Sequence, residues 1–198
     1  VITIYNPSFN KDIYKYNYQK NINKTYKIIL NVGRFEKQKN QIMLLKSFKN
    51  IQKEKNVKLL LVGYGSEKKN LINFVIKNNL RKKVIFAKEI NNVSKYYKRA
   101  DLFVLTSIYE GFGNVLVEAG MFKIPIISTD CKSGPREILK NGKYGDLVKI
   151  NDVKNLNKLI IKNLKRPNYK QVSLMFKSLG RFGIKNHILK YEKIFKKI

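Results

Sequence analysis

A chain of 198 residues, 43% of them hydrophobic, can enclose one domain with a substantial core. Its single cysteine, Cys131, excludes an internal disulfide and a multi-cysteine zinc site, and no apolar run reaches the roughly 18 residues that a membrane span needs. The formal net charge is +29, yet residues 101–150 hold 6 basic and 6 acidic side chains, so the basicity lies in the flanks. The chain opens on Val1 with no visible secretory leader and reads as a piece of a longer protein.

Lys27 to Val32 predicts a strand ending at Gly33, and Gln38 to Asn50 a helix with Ile42, Leu45 and Phe48 on one stripe. Val57 to Val62 is a strand ending at Gly63, followed by a helix to about Asn79 with Ser66 as its expected N-cap. Val84 to Ala87 is a short strand, Val93 to Arg99 a short helix, and Leu102 to Leu105 a strand. Gly113 to Phe122 is a helix, Ile124 to Ser128 a strand, Pro135 to Leu139 a helical turn, and Leu147 to Ile150 a last strand. Lysine-rich helices are expected over 152–164 and 169–196. Strands that are continuous apolar runs, alternating with helices, are the pattern of a parallel sheet covered on both faces. In such α/β sheets ligands sit at the carboxyl ends of strands, where Gly33, Gly63 and the 106–113 turn should converge.

The stretch Tyr109 to Glu118 carries the strongest chemical signal. Gly111 and Gly113 allow close approach of backbone to a ligand. A helix starting near Gly113 points free N–H groups at an anion. Glu118 lies among Val115, Leu116, Val117, Ala119, Met121 and Phe122, so it is expected to be the buried acid of a helix enclosed nearly all round. Arg34 and Lys39 follow the first strand and could clamp a phosphate; two solvated cations are the plainer alternative. After Gly63-Tyr64-Gly65, a dinucleotide fingerprint needs a third glycine where Lys68 stands, which argues against NAD. A nucleotide-sugar fits the whole set. Its diphosphate meets Arg34, Lys39 and the Gly111–Asn114 amides, its ribose diol meets Glu118, and its hexose hydroxyls meet Glu110.

In order along the chain, Val32-Gly33-Arg34…Lys39, Leu61-Val62-Gly63-Tyr64-Gly65, Ala100 to Leu105, Ser107 to Gly113 with Glu118, Pro125 to Asp130 and Ser133 to Leu139 resemble the C-terminal half of GT-B glycosyltransferases, specifically glycosyltransferase family 4. The resemblance covers about residues 1–150. It implies a Rossmann-like half of a GT-B fold with C-terminal helices, one nucleotide-sugar-binding domain over 1–198, with 1–9 as the interdomain connection and 165–198 as a helical segment. It further implies retaining transfer of a sugar, UDP-hexose or UDP-N-acetylhexosamine favoured, to a glycan or lipid-linked acceptor in bacterial surface-polysaccharide synthesis.

By the same resemblance Arg34, Lys39 and Glu110 are the catalytic candidates: the cations stabilise the leaving diphosphate and Glu110 orients the donor sugar. Gly33, Arg34, Lys39, Glu110, Gly111, Phe112, Gly113, Asn114, Val115 and Glu118 are the donor-binding candidates. No metal and no further cofactor is expected, since protein cations and a helix dipole take the metal's place. The facing N-terminal acceptor domain is expected to lie outside this chain, which alone should bind donor and transfer little. One departure is visible. Gly120-Met121-Phe122-Lys123 places lysine where the family carries glycine, so a local backbone difference is expected there.

The charge itself has two accounts, composition bias or attraction to an anionic surface, membrane lipid before nucleic acid. The second would hold the protein at the cytoplasmic face of a membrane. A basic nucleic-acid-binding domain is the alternative from another class, but it leaves Glu110 and Glu118 unexplained. A GT-B sugar-nucleotide epimerase or donor-binding pseudoenzyme is a third reading. His187 is expected to be structural, and Tyr5, Tyr14, Tyr16 and Tyr18 to belong to a domain junction.

Overall fold

The computed structural model describes residues 25–51, 56–88, 92–131 and 133–196. The expected connection over 1–9 and the four early tyrosines lie outside the described residues. Six parallel strands form one sheet: β1 (Lys27–Val32), β2 (Val57–Val62), β3 (Val84–Ala87), β4 (Leu102–Leu105), β5 (Ile126–Thr129) and β6 (Asp146–Val148). Their order is β3-β2-β1-β4-β5-β6. In register, Lys27 to Val32 lie opposite Val57 to Val62, Ile29 opposite Leu102, and Phe103 opposite Ile126. The chain winds outward in both directions from β1 and β4, so a crevice opens where the order reverses.

Alternate residues of each strand feed two cores. Ile29, Leu59, Leu61, Val104 and Ile127 pack against α1 (Gln41–Ile51), α2 (Lys68–Lys77) and α6 (Val153–Lys165). Ile28, Leu30, Val62, Phe103, Leu105 and Ile126 face α3 (Ser94–Tyr97), α4 (Asn114–Met121), α5 (Pro135–Ile138) and α7 (Tyr169–Ser178). Both faces are covered, which is why the strands read as unbroken apolar runs. No described helix is long and apolar enough to cross a membrane.

Three expectations need correction. Ser66 is not an N-cap: α2 begins at Lys68, and Ser66 instead donates through Oγ to Glu36 Oε2 at 2.7 Å. The helix expected over 169–196 is broken into α7, a 3-10 turn at Leu179–Phe182 and α8 (Ile184–Phe195), because Gly180 and Gly183 weaken the helix where Phe182 turns into the core. The strand expected over 124–128 starts at Ile126, since Pro125 lacks a ladder donor and contributes only its carbonyl, which accepts from Phe103 N at 2.9 Å.

The turn after α4 falls on the lysine that stands where glycine was expected. Lys123 adopts a left-handed φ of 52°, and its ammonium lies 4.4 Å from the centre of the Phe176 ring. Gly120 sits on the helix interface, where a Cβ would come within 2.8 Å of Met175 Cε. The small residue therefore serves α4–α7 packing, and the lysine carries the strained turn, at a cost of about 1–2 kcal/mol.

Candidate functional site

The site is built at the carboxyl ends of β1, β2, β4 and β5. Beyond β1 the chain makes a 3-10 turn at Lys37–Lys39 before α1. Backbone bonds tie this loop to its neighbours. Phe35 N donates to Tyr64 O at 2.7 Å, Glu67 N to Phe35 O at 2.8 Å, and Ile108 N to Gln38 O at 2.8 Å. Gly63 admits the closest approach: a Cβ there would stand 2.0 Å from Gly33 O, so only glycine lets the two loops touch.

Lys39 and Glu110 meet in this floor. Lys39 Nζ lies 2.6 Å from Glu110 Oε1, with side chains 14% and 6% exposed. Ser107 Oγ donates to the same oxygen at 2.6 Å. The backbone of Glu110 is fixed as well, its carbonyl accepting from Ser133 Oγ at 2.7 Å. Ser107 is held in turn by Thr129 Oγ1 and Cys131 Sγ, which donate to its carbonyl at 2.5 and 3.1 Å. The segments beyond β1 and β4 thus meet at one carboxylate, and residues at and beyond the end of β5 brace it through the carbonyls of Ser107 and Glu110. A buried ion pair of this kind costs desolvation and is kept where its geometry serves a purpose. The lysine ammonium has three N–H donors, so its bond to Glu110 leaves two for a ligand.

Arg34 is placed differently. Its side chain is exposed, and its carbonyl accepts from Gln41 Nε2 at 2.9 Å. The Ser66 hydroxyl and amide hold the nearby Glu36 carboxyl below its usual range, and the charge of Arg34 adds to this. Gly33 lies against the Lys39 chain, with Cδ 3.7 Å from the place of a Cβ. The turn into α4 presents Gly111 and Asn114 exposed and Phe112, Gly113 and Val115 half-buried; Gly113 takes a left-handed φ of 98° immediately before the helix. This glycine turn sets the first turn of α4 beside the loops that follow β4 and β5.

Glu118 is less enclosed than expected. Glu110 is the buried one, and Glu118 is half-buried. Leu116, Val117, Ala119 and Gly120 turn inward, while Val115, Glu118 and Met121 share a half-open face, so α4 is not enclosed all round. Glu118 accepts one hydrogen bond, from Tyr97 OH to Oε2 at 2.7 Å, and burial pushes its carboxyl above the ordinary 4.5 although the Tyr97 hydroxyl opposes the shift. It shares no bond with the Lys39–Glu110 cluster. Tyr97 and the bonding roles of Ser107 and Ser133 were not foreseen: Tyr97 belongs to another helix, and nothing local in the sequence connects it to Glu118. His187 lies on α8 with its ring 4.9 Å from that of Tyr191.

Residues 12–174 match the family described as Glycosyl transferases group 1, and the chain belongs to that family. It is 38% identical over 144 residues to an uncharacterized glycosyltransferase of Methanocaldococcus jannaschii, covering 66% of this chain and 36% of that protein. It is 37% identical over 147 residues to the amylovoran biosynthesis glycosyltransferase AmsD of Erwinia amylovora, covering 73% and 42%. A Campylobacter jejuni N-acetylgalactosaminyltransferase acting on a diphospho-undecaprenol-linked sugar is 34% identical, covering 64% and 34%. The chain therefore spans between about a third and two fifths of the length of these relatives. Among solved structures, the lipopolysaccharide outer core galactosyltransferase WaaB superposes with a TM-score of 0.83 at 24% identity, covering 100% of this chain and 56% of that one. At this identity the likeness concerns the fold, a Rossmann-like half shared with GT-B glycosyltransferases.

Proposed function

We propose that this chain is the donor-binding half of a retaining family 4 glycosyltransferase that takes a nucleotide diphosphate sugar, UDP-linked, and passes a hexosyl or N-acetylhexosaminyl group to a glycan or lipid-linked acceptor. The observation that carries the reading is the buried Lys39–Glu110–Ser107 cluster at the point where the strand order reverses, beside the open first turn of α4. The remaining Lys39 donors, the exposed Arg34 and the α4 amides would receive the diphosphate, each charge-assisted bond contributing about 1.5–3 kcal/mol. These cations would then counter the negative charge that grows on the leaving diphosphate. Glu110, fixed on both backbone and side chain, would accept from hydroxyls of the donor sugar and orient it. Glu118 would take the ribose diol.

The names of relatives support the same chemistry: amylovoran and capsular polysaccharide biosynthesis, and transfer to a diphospho-undecaprenol-linked sugar. A solved structure of similar fold, TarM of S. aureus, holds UDP. The acceptor-binding half would be supplied by a second domain, and the charge of +29 suits work beside an anionic membrane leaflet at its cytoplasmic face.

Calorimetric titration with UDP and GDP tests the reading. Binding of UDP, abolished in Lys39→Met and weakened in Glu118→Ala, is the expected result. Failure of the chain to bind either nucleotide overturns it, and efficient sugar transfer by these 198 residues alone overturns the two-domain part.

A further inference from the structure

Glu118 has one polar partner, and that partner is unusually well fixed. Tyr97 is 0% exposed. Its ring stacks on Phe122 with centroids 5.3 Å apart and planes 6° from parallel, and it packs against Phe103 at 5.7 Å. Phe103 belongs to β4, and Phe122 is the C-cap of α4, the helix that carries Glu118. Sheet and helix therefore grip the phenol from two sides, and its hydroxyl has one place to be. The nearest alternative acceptor, Val115 O, is 3.5 Å away, against 2.7 Å for Glu118 Oε2. A glutamate side chain on a half-open helix face would otherwise sample several rotamers.

We propose that Tyr97 is a positioning residue for the ribose-binding carboxylate. Its hydroxyl pins Oε2 of Glu118 and leaves Oε1, with the second lone pair of Oε2, to accept from the two hydroxyls of a ribose. The inference rests on the donor reading given above and adds the group that prepares the carboxylate. Burial, and then the negative charge of Glu118, push the Tyr97 phenol well above 10.0, so it keeps its proton and stays a donor. The same bond draws the Glu118 carboxyl back toward ionisation against its burial, and a charged carboxylate is the stronger acceptor for a diol.

The test uses the full chain and the conservative Tyr97→Phe, which keeps the ring stack and removes only the hydroxyl. Two probes are titrated, UDP and 2′,3′-dideoxyuridine diphosphate, which lacks the diol. The unaltered chain should prefer UDP. Tyr97→Phe should bind the dideoxy probe as the unaltered chain does, and its preference for UDP should fall by about threefold to tenfold, the scale set by immobilising one flexible side chain. A carbon-13 carboxyl titration should show the Glu118 midpoint displaced upward in Tyr97→Phe. In the double variant with Glu118→Gln, the loss should be no greater than in Glu118→Gln alone.

Full retention of the UDP preference by Tyr97→Phe, with its loss in Glu118→Gln, overturns the role of Tyr97 while the ribose reading stands. An unmoved Glu118 midpoint, or strictly additive losses in the double variant, overturns it as well. No preference for UDP in the unaltered chain removes the ribose reading, and the role of Tyr97 falls with it.

Discussion

Glu110 and Glu118 lie on one short stretch of chain, carry the same group and sit in opposite electrical settings. Glu110 is buried with a lysine ammonium and a serine hydroxyl on one oxygen. Glu118 is half-buried, its one bonded partner a neutral phenol. The difference shows how one fold gives the same side chain two environments. A carboxylate paired with an ammonium and braced by a serine is held in one place, with one of its oxygens already engaged. A carboxylate whose one partner is a phenol is poorly compensated for its burial, which raises its pKa, and a ligand with hydroxyls can supply the missing bonds.

Removing the cation breaks the comparison most severely. Lys39→Met leaves the Glu110 charge buried without its partner, and the chain should lose about 3–5 kcal/mol of unfolding free energy, measured by urea denaturation. Lys39→Met combined with Glu110→Gln should recover much of that loss, since the unpaired charge is then gone. If the single variant is as stable as the unaltered chain, Glu110 is no better neutralised than Glu118, and the contrast fails.

Glu118→Gln sharpens the other side. UDP affinity should fall by about tenfold to a hundredfold, the scale of hydrogen bonds to a charged group. Stability should move the opposite way, and the sign follows from the raised carboxyl. At low pH both folded and unfolded chains hold the proton. As pH climbs past the ordinary 4.5 the unfolded chain releases it first, so stability drains away until pH passes the higher folded value. Above that range Glu118→Gln should unfold at a higher temperature than the unaltered chain, and its profile through that window should be flatter.

Ser107→Ala should give the smallest of these effects. It removes one donor from Glu110 while Lys39 stays on the same oxygen, so the cost should be about 1.5 kcal/mol in urea, with UDP affinity nearly kept.

The sheet was legible because its strands are apolar on both faces and the first two run straight into glycine; the convergence of Gly33, Gly63 and the 106–113 turn then follows from parallel topology. The burial of the two acids was not legible. Apolar neighbours suggested that Glu118 was enclosed, but a helix face is decided by what packs on it, and α4 leaves 115, 118 and 121 half-open. Glu110 is buried by strand ends distant in sequence, as the bond from Ser133 and the ion pair with Lys39 make plain. Tyr97 was missed for the same reason. The break at Gly180 and Gly183 was written in the sequence and was read through, because the lysine-rich pattern on either side keeps a helical period.

The loops of the floor are joined to one another by main-chain bonds and, at Gly33 and Gly63, by direct backbone contact. Their conformational entropy is therefore surrendered when the chain folds, before any ligand arrives. A nucleotide entering such a crevice meets groups already in place, and the heat it releases on binding should not be offset by ordering these loops.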